Sequence, residues 1–313
     1  GIAAADVRDA DVLLVRSVTD VNAALLQGSA VKFVGSCTIG TDHVDTAWLA
    51  EHNIRFAYAP GCNANAVVEY VLSALLALEV DLSSKKIGIV GCGNVGGRLL
   101  RCLQKNGAAV CGYDPFLQNS DLPLVHFDDI LQCDVICLHT PLTRTGAFPT
   151  FHLFNANVIN ALKPGTLLLN AGRGAAIDNR ALLQRLDAKD DLLTVLDVWE
   201  NEPAIDPALL AAVMIGTPHI AGYSAEGKLR GTEMIHSALC QFLGTECPGT
   251  QPVTPGIRLD GAITPYDVLA DDAALRTRFP VDGALAFDRL RKLYVARREG
   301  GFPHLLAPDQ SAH

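Results

Sequence analysis

A chain of 313 residues, 49% of them hydrophobic, can bury a large core and divide into two or three domains. Its apolar stretches are broken by Glu, Asp or Lys before they reach membrane-spanning length, which argues against a membrane partner. A formal net charge of −9 argues against a nucleic-acid partner, which would need a basic face.

The elements alternate between short β-branched runs and helical patterns, the signature of parallel α/β architecture. Val12–Val15 and Phe33–Gly35 read as early strands. Asp45 to His52 reads as a short helix, with Asp42 or Asp45 as its N-cap rather than part of a metal site. Val67 to Glu79 is an apolar helix leading to further strands at 87–90, 108–113, 135–139, 166–170 and 193–197. Thr217–Ile220 closes that set, and Ala225 to Phe242 is a helix returning towards the first lobe. From Gly244 onward, prolines and glycines mark a linker, followed by an amphipathic basic helix from about Leu285 to Glu299. Its Arg289, Arg291, Lys292, Arg297 and Arg298 have the spacing of a solvated face.

Nine cysteines show no CxxC pair, and Cys111, Cys133 and Cys137 lie in or beside apparent strands. They read as reduced core residues of a cytoplasmic protein, with no disulfide framework and no metal site. The opening Gly1–Asp6 has no basic lead or long apolar segment, so no signal peptide is expected. His126, His139, His152 and His236 have no recognisable partner pattern and read as structural.

The most specific signal is Gly91-Cys92-Gly93-Asn94-Val95-Gly96, which follows the apolar run Ile87–Val90. A buried strand that ends in glycines and opens a helix presents backbone N–H groups and a helix dipole to a pyrophosphate. The next strand ends in Asp114, 18 residues beyond Gly96 (114 − 96), where an acid accepts hydrogen bonds from ribose hydroxyls. No Lys or Arg follows it in Pro115–Gln118, so the cofactor is expected to be NAD rather than NADP.

Three further polar residues stand after consecutive strands: Arg173, Glu202 and His219. Taken singly, Arg173 could cap a helix and Glu202 could sit in a surface turn. Together they match the oxidation of an alcohol beside a carboxylate. A guanidinium grips the carboxylate, an imidazole takes the hydroxyl proton, and a carboxylate orients that imidazole.

The segments NAGRGAAID, LDVWENEP and TPHIAG, in that order, resemble the D-2-hydroxyacid dehydrogenases. VRSVTDVN (15–22), KFVGSCTIGTDHVD (32–45), APGCNANAVVEYVLSALL (59–76) and HIAGYSAEGKLRGT (219–232) carry the likeness along the chain to about Phe242. The family pattern has an initial acidic-ended strand and helix ahead of the first residues here, and a longer C-terminal domain. The resemblance implies two doubly wound parallel-sheet lobes, a flavodoxin-like substrate lobe (1–75 and 222–245) and a Rossmann NAD lobe (76–221). A small C-terminal dimerisation segment (246–313) implies a homodimer. By position it implies that Asp114, Thr140, Asp197 and Gly222 contact NAD. It also implies that Ser17, Thr38 and Tyr223 contact substrate, with His219 the proton-transfer residue. Arg16, beside Ser17 at a strand end, is the candidate for a substrate phosphate. The expected partner is a phosphorylated 2-hydroxy acid. Two rivals stay open: an enzyme for another acid such as 3-phosphoglycerate, and a non-enzymatic NADH-sensing regulator.

Overall fold

The computed structural model describes residues 2–118, 120–247 and 263–302. Two compact units emerge, Gly1–Asn63 with Ser224–Gly261, and Ala64–Tyr223 with Ala262–His313.

The first unit is built on three parallel strands, β1 (Val12–Val15), β2 (Phe33–Ser36) and β3 (Arg55–Tyr58), in that spatial order. Leu13 and Val15 of β1 point into a core with Val21, Leu25, Val34 and Leu49, while Leu14 between them is exposed. That alternation is the period of two expected of a half-covered strand. The helix Thr46–Glu51 begins at Asp45, whose Oδ1 accepts from Trp48 N at 3.0 Å. Asp45 therefore caps, as its type and place suggest. The long helix Ala225–Leu243 completes this unit, with Phe242 packing on Phe33 of β2 at 5.2 Å between ring centroids.

The second unit holds a six-stranded parallel sheet. Its strands are β4 (Lys86–Val90), β5 (Ala109–Tyr113), β6 (Val135–Leu138), β7 (Leu167–Asn170), β8 (Leu193–Leu196) and β9 (Ile215–Gly216). The spatial order β5-β4-β6-β7-β8-β9 places β4 between β5 and β6, so the crossovers change direction there. Such a switch point opens a crevice at the carboxyl ends of the strands. The strands read as unbroken apolar runs because both faces are covered. Ile136, Leu138 and Leu168 enter one core with Leu182 and Leu186 of the helix Asn179–Lys189. Val135, Cys137, Leu167 and Leu169 enter the other, with Val67, Val71 and Leu75 of the helix Ala64–Ala77 and Leu99 and Leu103 of the helix Gly96–Lys105. Truncating one such leucine to alanine costs about 2–5 kcal/mol.

Two boundaries differ from the sequence expectation. The division falls at Asn63 rather than after residue 75, because the helix Ala64–Ala77 buries its apolar face in the nucleotide-lobe core. Part of the expected separate segment 246–313 also joins this unit. A helix at Val268–Asp282, unexpected from sequence, places Leu275 and Phe279 in the core, and the shorter basic helix Ala284–Lys292 adds Phe287. The linker prolines Pro248, Pro252 and Pro255 lie outside the described residues.

Candidate active site

The glycine loop leaves β4 at Gly91, where φ is +84° and Gly91 N donates to Tyr113 O at 2.9 Å. A Cβ on Gly91 would come within 2.9 Å of the Thr140 methyl, and one on Gly96 within 1.9 Å of the Gly91 carbonyl oxygen. Those two glycines are required by the loop's own packing. Gly93 is different: a Cβ there would meet nothing within 4 Å. The loop is open on that side, where backbone can approach a pyrophosphate. Asn94 lies within the loop, and Val95, the N-cap of the helix Gly96–Lys105, offers no side-chain cap, so the helix start is not closed by the protein's own side chain.

Asp114 follows the end of β5, as expected. Its Oδ2 accepts from Cys92 N at 3.0 Å and its Oδ1 from Phe116 N at 3.1 Å, which ties the acid to the loop. Carboxylate oxygens hold two lone pairs each, so both retain capacity for ribose hydroxyls. Beside it lies a mostly apolar cavity lined by Tyr113, Phe116, Pro141, Phe148 and Thr140, suited to a flat purine. The Thr140 hydroxyl is buried and has no hydrogen-bond partner among the described residues. A buried polar atom without a partner is costly and points to a ligand group at that place. Both ring nitrogens of the neighbouring His139 are shielded in the same way, and burial pushes its imidazole down to about 4. The residues present therefore fit a dinucleotide.

The catalytic candidates stand beyond the carboxyl ends of β7, β8 and β9. Asp197 closes β8 and organises the turn that follows β9. Its Oδ1 accepts from the Thr217 hydroxyl (2.7 Å) and Ile220 N (2.8 Å), and its Oδ2 from Ala221 N (3.0 Å). Burial raises the Asp197 carboxyl above its ordinary value, against the pull of His219 and these donors. The turn holds His219 at φ +56°, a left-handed conformation uncommon for a residue with a Cβ. His219 Nδ1 lies 2.7 Å from Glu202 Oε2, while Glu202 Oε1 accepts from Trp199 N, also at 2.7 Å. With Nδ1 occupied by the carboxylate, Nε2 is the nitrogen available for chemistry. Burial works to raise Glu202, but the His219 ring, the Trp199 amide and the charge of Arg291 outweigh it and hold the carboxyl below its ordinary value.

Arg173 rises from the next strand end. The Asn170 side chain fixes its loop by donating to Arg173 O (2.9 Å) and accepting from Gly172 N (3.0 Å). The guanidinium is half-buried and donates to Gly172 O at 2.9 Å. Glu202 and His219 are thus joined directly, and Arg173 stands in the loop beyond β7, the strand next to β8.

Two arginines of the C-terminal segment belong to this site and are not legible from their spacing. Arg291 lies close enough to Glu202 to stabilise its charge. Arg297 donates to the carbonyl oxygens of Ile220 (3.1 Å), Tyr223 (3.4 Å), Ala66 (3.0 Å) and Ala221, with its guanidinium 4.0 Å over the Tyr266 ring. It packs inside rather than on a solvated helix face, because the helix ends at Lys292 and the chain turns inward. The grip encloses Gly222. Tyr223 packs edge-on against Tyr294 at 5.9 Å.

In the first unit, Arg16 and Ser17 follow β1 and are exposed, and Thr38 follows β2. Thr38 Oγ1 lies 2.7 Å from Ser36 Oγ and donates to Gly40 O at 2.9 Å. Ser36 Oγ lies 3.0 Å from His43 Nε2. Lys228 is held below its ordinary value by burial and by the neighbouring charge of Arg16. Arg230 donates from Nε to Cys62 O at 2.8 Å, and both Arg16 and Arg230 act on the Cys62 thiol. Three cations thus gather on this unit, two of them missed from sequence although they lie in the motif at 219–232.

The family described as D-isomer specific 2-hydroxyacid dehydrogenase, NAD binding domain, matches residues 71–221. Erythronate-4-phosphate dehydrogenase of Saccharophagus degradans is 52% identical over 319 residues, spanning 95% of this chain and 85% of that protein. The enzyme of the same name from Cellvibrio japonicus is 49% identical over 322 residues, with 95% and 85% covered. Among solved structures, NAD+-bound 3-phosphoglycerate dehydrogenase of Entamoeba histolytica shares the fold, with a TM-score of 0.68 at 24% identity, over 83% of this chain and 85% of that one. The chain belongs to the D-2-hydroxyacid dehydrogenases, NAD-dependent oxidoreductases, within the group of erythronate-4-phosphate dehydrogenases.

Proposed function

We propose that the chain oxidises 4-phospho-D-erythronate to (R)-3-hydroxy-2-oxo-4-phosphooxybutanoate, a step of pyridoxal phosphate (vitamin B6) synthesis. The observation that carries the reading is the His219–Glu202 pair at 2.7 Å, in a chain about half identical to enzymes of that name. Gly91, Gly93, Asn94, Val95 and Gly96 hold the pyrophosphate, Asp114 the ribose, and Thr140, Asp197 and Gly222 the remainder of NAD. Bound NAD supplies the acceptor for the hydride of the carbinol carbon. Arg173 grips the substrate carboxylate in bidentate fashion. His219 Nε2 takes the hydroxyl proton, and Glu202 holds the ring and stabilises the imidazolium that results.

Ser17, Thr38 and Tyr223 contact substrate, and Arg16 takes its phosphate with Lys228 and Arg230. The support is electrostatic: Lys228 is disfavoured as a cation by burial and by Arg16, and a bound dianion would relieve both. The exposed Val281, Leu285, Leu293 and Val295 support a homodimer through the C-terminal segment. Nine unbridged thiols suit a reducing, cytoplasmic compartment. Among the described residues no helix is long and apolar enough to cross a membrane.

The test is NADH formation by purified protein with erythronate 4-phosphate, erythronate and 3-phosphoglycerate. The 4-phosphate should be preferred over plain erythronate by on the order of a hundredfold in kcat/KM. Equal turnover of the first two, or preference for 3-phosphoglycerate, would refute the assignment.

A further inference from the structure

His236, Cys240 and Cys247 come together at the C-terminal end of the helix Ala225–Leu243, and none of the three is assigned above to catalysis or binding. His236 and Cys240 are one helical turn apart and share a face. The helix stops at Gly244, whose φ of +66° reverses the chain, and Thr245 N then donates to Cys240 O at 3.0 Å. That turn carries Cys247 back over the last turn of the helix. The Cys240 sulfur lies 3.7 Å from His236 Nε2 and the Cys247 sulfur 3.4 Å from His236 Nδ1. One donor atom from each of the three residues lies within 4.8 Å of the other two.

We propose that these three side chains form a zinc site. A tetrahedral zinc ion with bonds of about 2.3 Å to sulfur and about 2.1 Å to nitrogen sets its sulfur and nitrogen donors about 3.6 Å apart. Both sulfur–nitrogen distances already have that size. The two sulfurs approach opposite ring nitrogens, so one of these distances involves the nitrogen that binds. That nitrogen already lies within 4.8 Å of the other sulfur as well, and closing the remaining ångström is the adjustment that binding requires, on the side of the exposed Cys247. Two thiolates and an imidazole match a borderline-soft ion better than the oxygen-seeking magnesium or calcium. Cys240 is buried and Cys247 exposed, so the site is anchored on one side and open to solvent on the other, leaving the fourth position to water. Binding converts two thiols to thiolates and releases two protons per ion, so affinity rises with pH. The site would pin the turn at Gly244–Cys247 to its helix.

The second group of metal-ligating types, His152, Asp178 and Glu200, is explained without an ion. Glu200 Oε1 is paired with His152 at 2.8 Å, and its Oε2 accepts from Asn179 N at the start of a helix.

The experiment uses the full chain, reduced and stripped with a chelator, then titrated with zinc and, separately, with cobalt as a spectroscopic probe. One ion per chain is expected, with thiolate-to-cobalt charge-transfer absorption and release of about two protons per ion. Cys247→Ser, at an exposed position, and His236→Gln should each weaken zinc binding at least tenfold, while NADH production by Cys247→Ser stays at the wild-type rate. Equal zinc binding by wild type and Cys247→Ser would overturn the proposal, since the remaining cysteines would then account for it. A reduced protein that takes up no zinc, with Cys240 and Cys247 found joined as a disulfide in untreated samples, would also overturn it and identify the pair as a redox couple.

Discussion

Arg297 Nη1 donates to the carbonyl oxygen of Ile220 at 3.1 Å, one residue beyond His219. The same guanidinium holds Tyr223 O and Ala221 O, so the main chain after His219 is clamped from the C-terminal segment. Asp197 clamps the same turn from β8 through the amides of Ile220 and Ala221. His219 keeps its left-handed backbone because both sides of the turn are held.

Arg297→Ala should lower both thermal stability and kcat. It removes donations to four carbonyl oxygens at once. Ile220 O keeps the amide of Tyr223 at 2.9 Å and Ala66 O lies within a helix, so the loss falls on Ala221 O and Tyr223 O, at roughly 1–3 kcal/mol each before relaxation. Arg297→Lys should recover little, since an ammonium cannot span carbonyls that the planar fork reaches together. Thermal unfolding and steady-state kinetics of both variants check this, and full recovery by lysine would reduce the role of Arg297 to charge alone.

The glycine loop after β4 and the pairing of Glu202 with His219 were legible because both residues of the pair lie in the loops that follow consecutive strands of one parallel sheet. The parallel sheets were legible because fully covered strands read as unbroken apolar runs. Arg291 and Arg297 were not, because their partners lie far away in sequence and their spacing mimics a solvated helix. The helix Val268–Asp282 was hidden by Pro280 within it and by the proline- and glycine-rich stretch before it, although Asp267 is a good cap, accepting from Leu269 N at 3.0 Å. The break at Asn63 was missed because one apolar helix looks alike whichever core it enters.

Asp114→Ala should lower NAD affinity and reduce the preference for NAD over NADP by about tenfold, equivalent to about 1.4 kcal/mol. The carboxylate that would repel a 2′-phosphate is then gone, and so is its tie to Cys92 N. Dissociation constants for the two cofactors decide the point; an unchanged ratio would move ribose recognition to another residue.

Thr140→Val separates binding from folding. The hydroxyl has no partner among the described residues, so an isosteric methyl should leave the unfolding midpoint unchanged or slightly raised. If NAD accepts or donates there, its affinity should fall about threefold to tenfold, the worth of one hydrogen bond. Calorimetric titration with NAD checks it.

His139 should make the cofactor-free protein acid-sensitive. Its folded value of about 4 lies below the 6.5 of an ordinary histidine, so between these values the unfolded chain binds a proton that the native state refuses. This contribution to stability is complete above about pH 6.5, falls by on the order of 3 kcal/mol as the pH drops to about 4, and is flat below. Urea unfolding across that range should show the slope, and His139→Asn should flatten it.

The account rests most heavily on His219 as the proton-transfer residue with Glu202 as its partner, and the pH dependence of kcat/KM for erythronate 4-phosphate in wild type, His219→Asn, Glu202→Gln and the double variant tests it most directly. His219→Asn should lose roughly a hundredfold to ten-thousandfold in kcat. Glu202→Gln should retain more activity, with the acid limb of its profile moved to lower pH, because an imidazolium without its carboxylate gives up its proton more readily. The double variant should be little worse than His219→Asn alone, since the two side chains act as a unit. Near-normal turnover by His219→Asn, or a profile unmoved by Glu202→Gln, would contradict it.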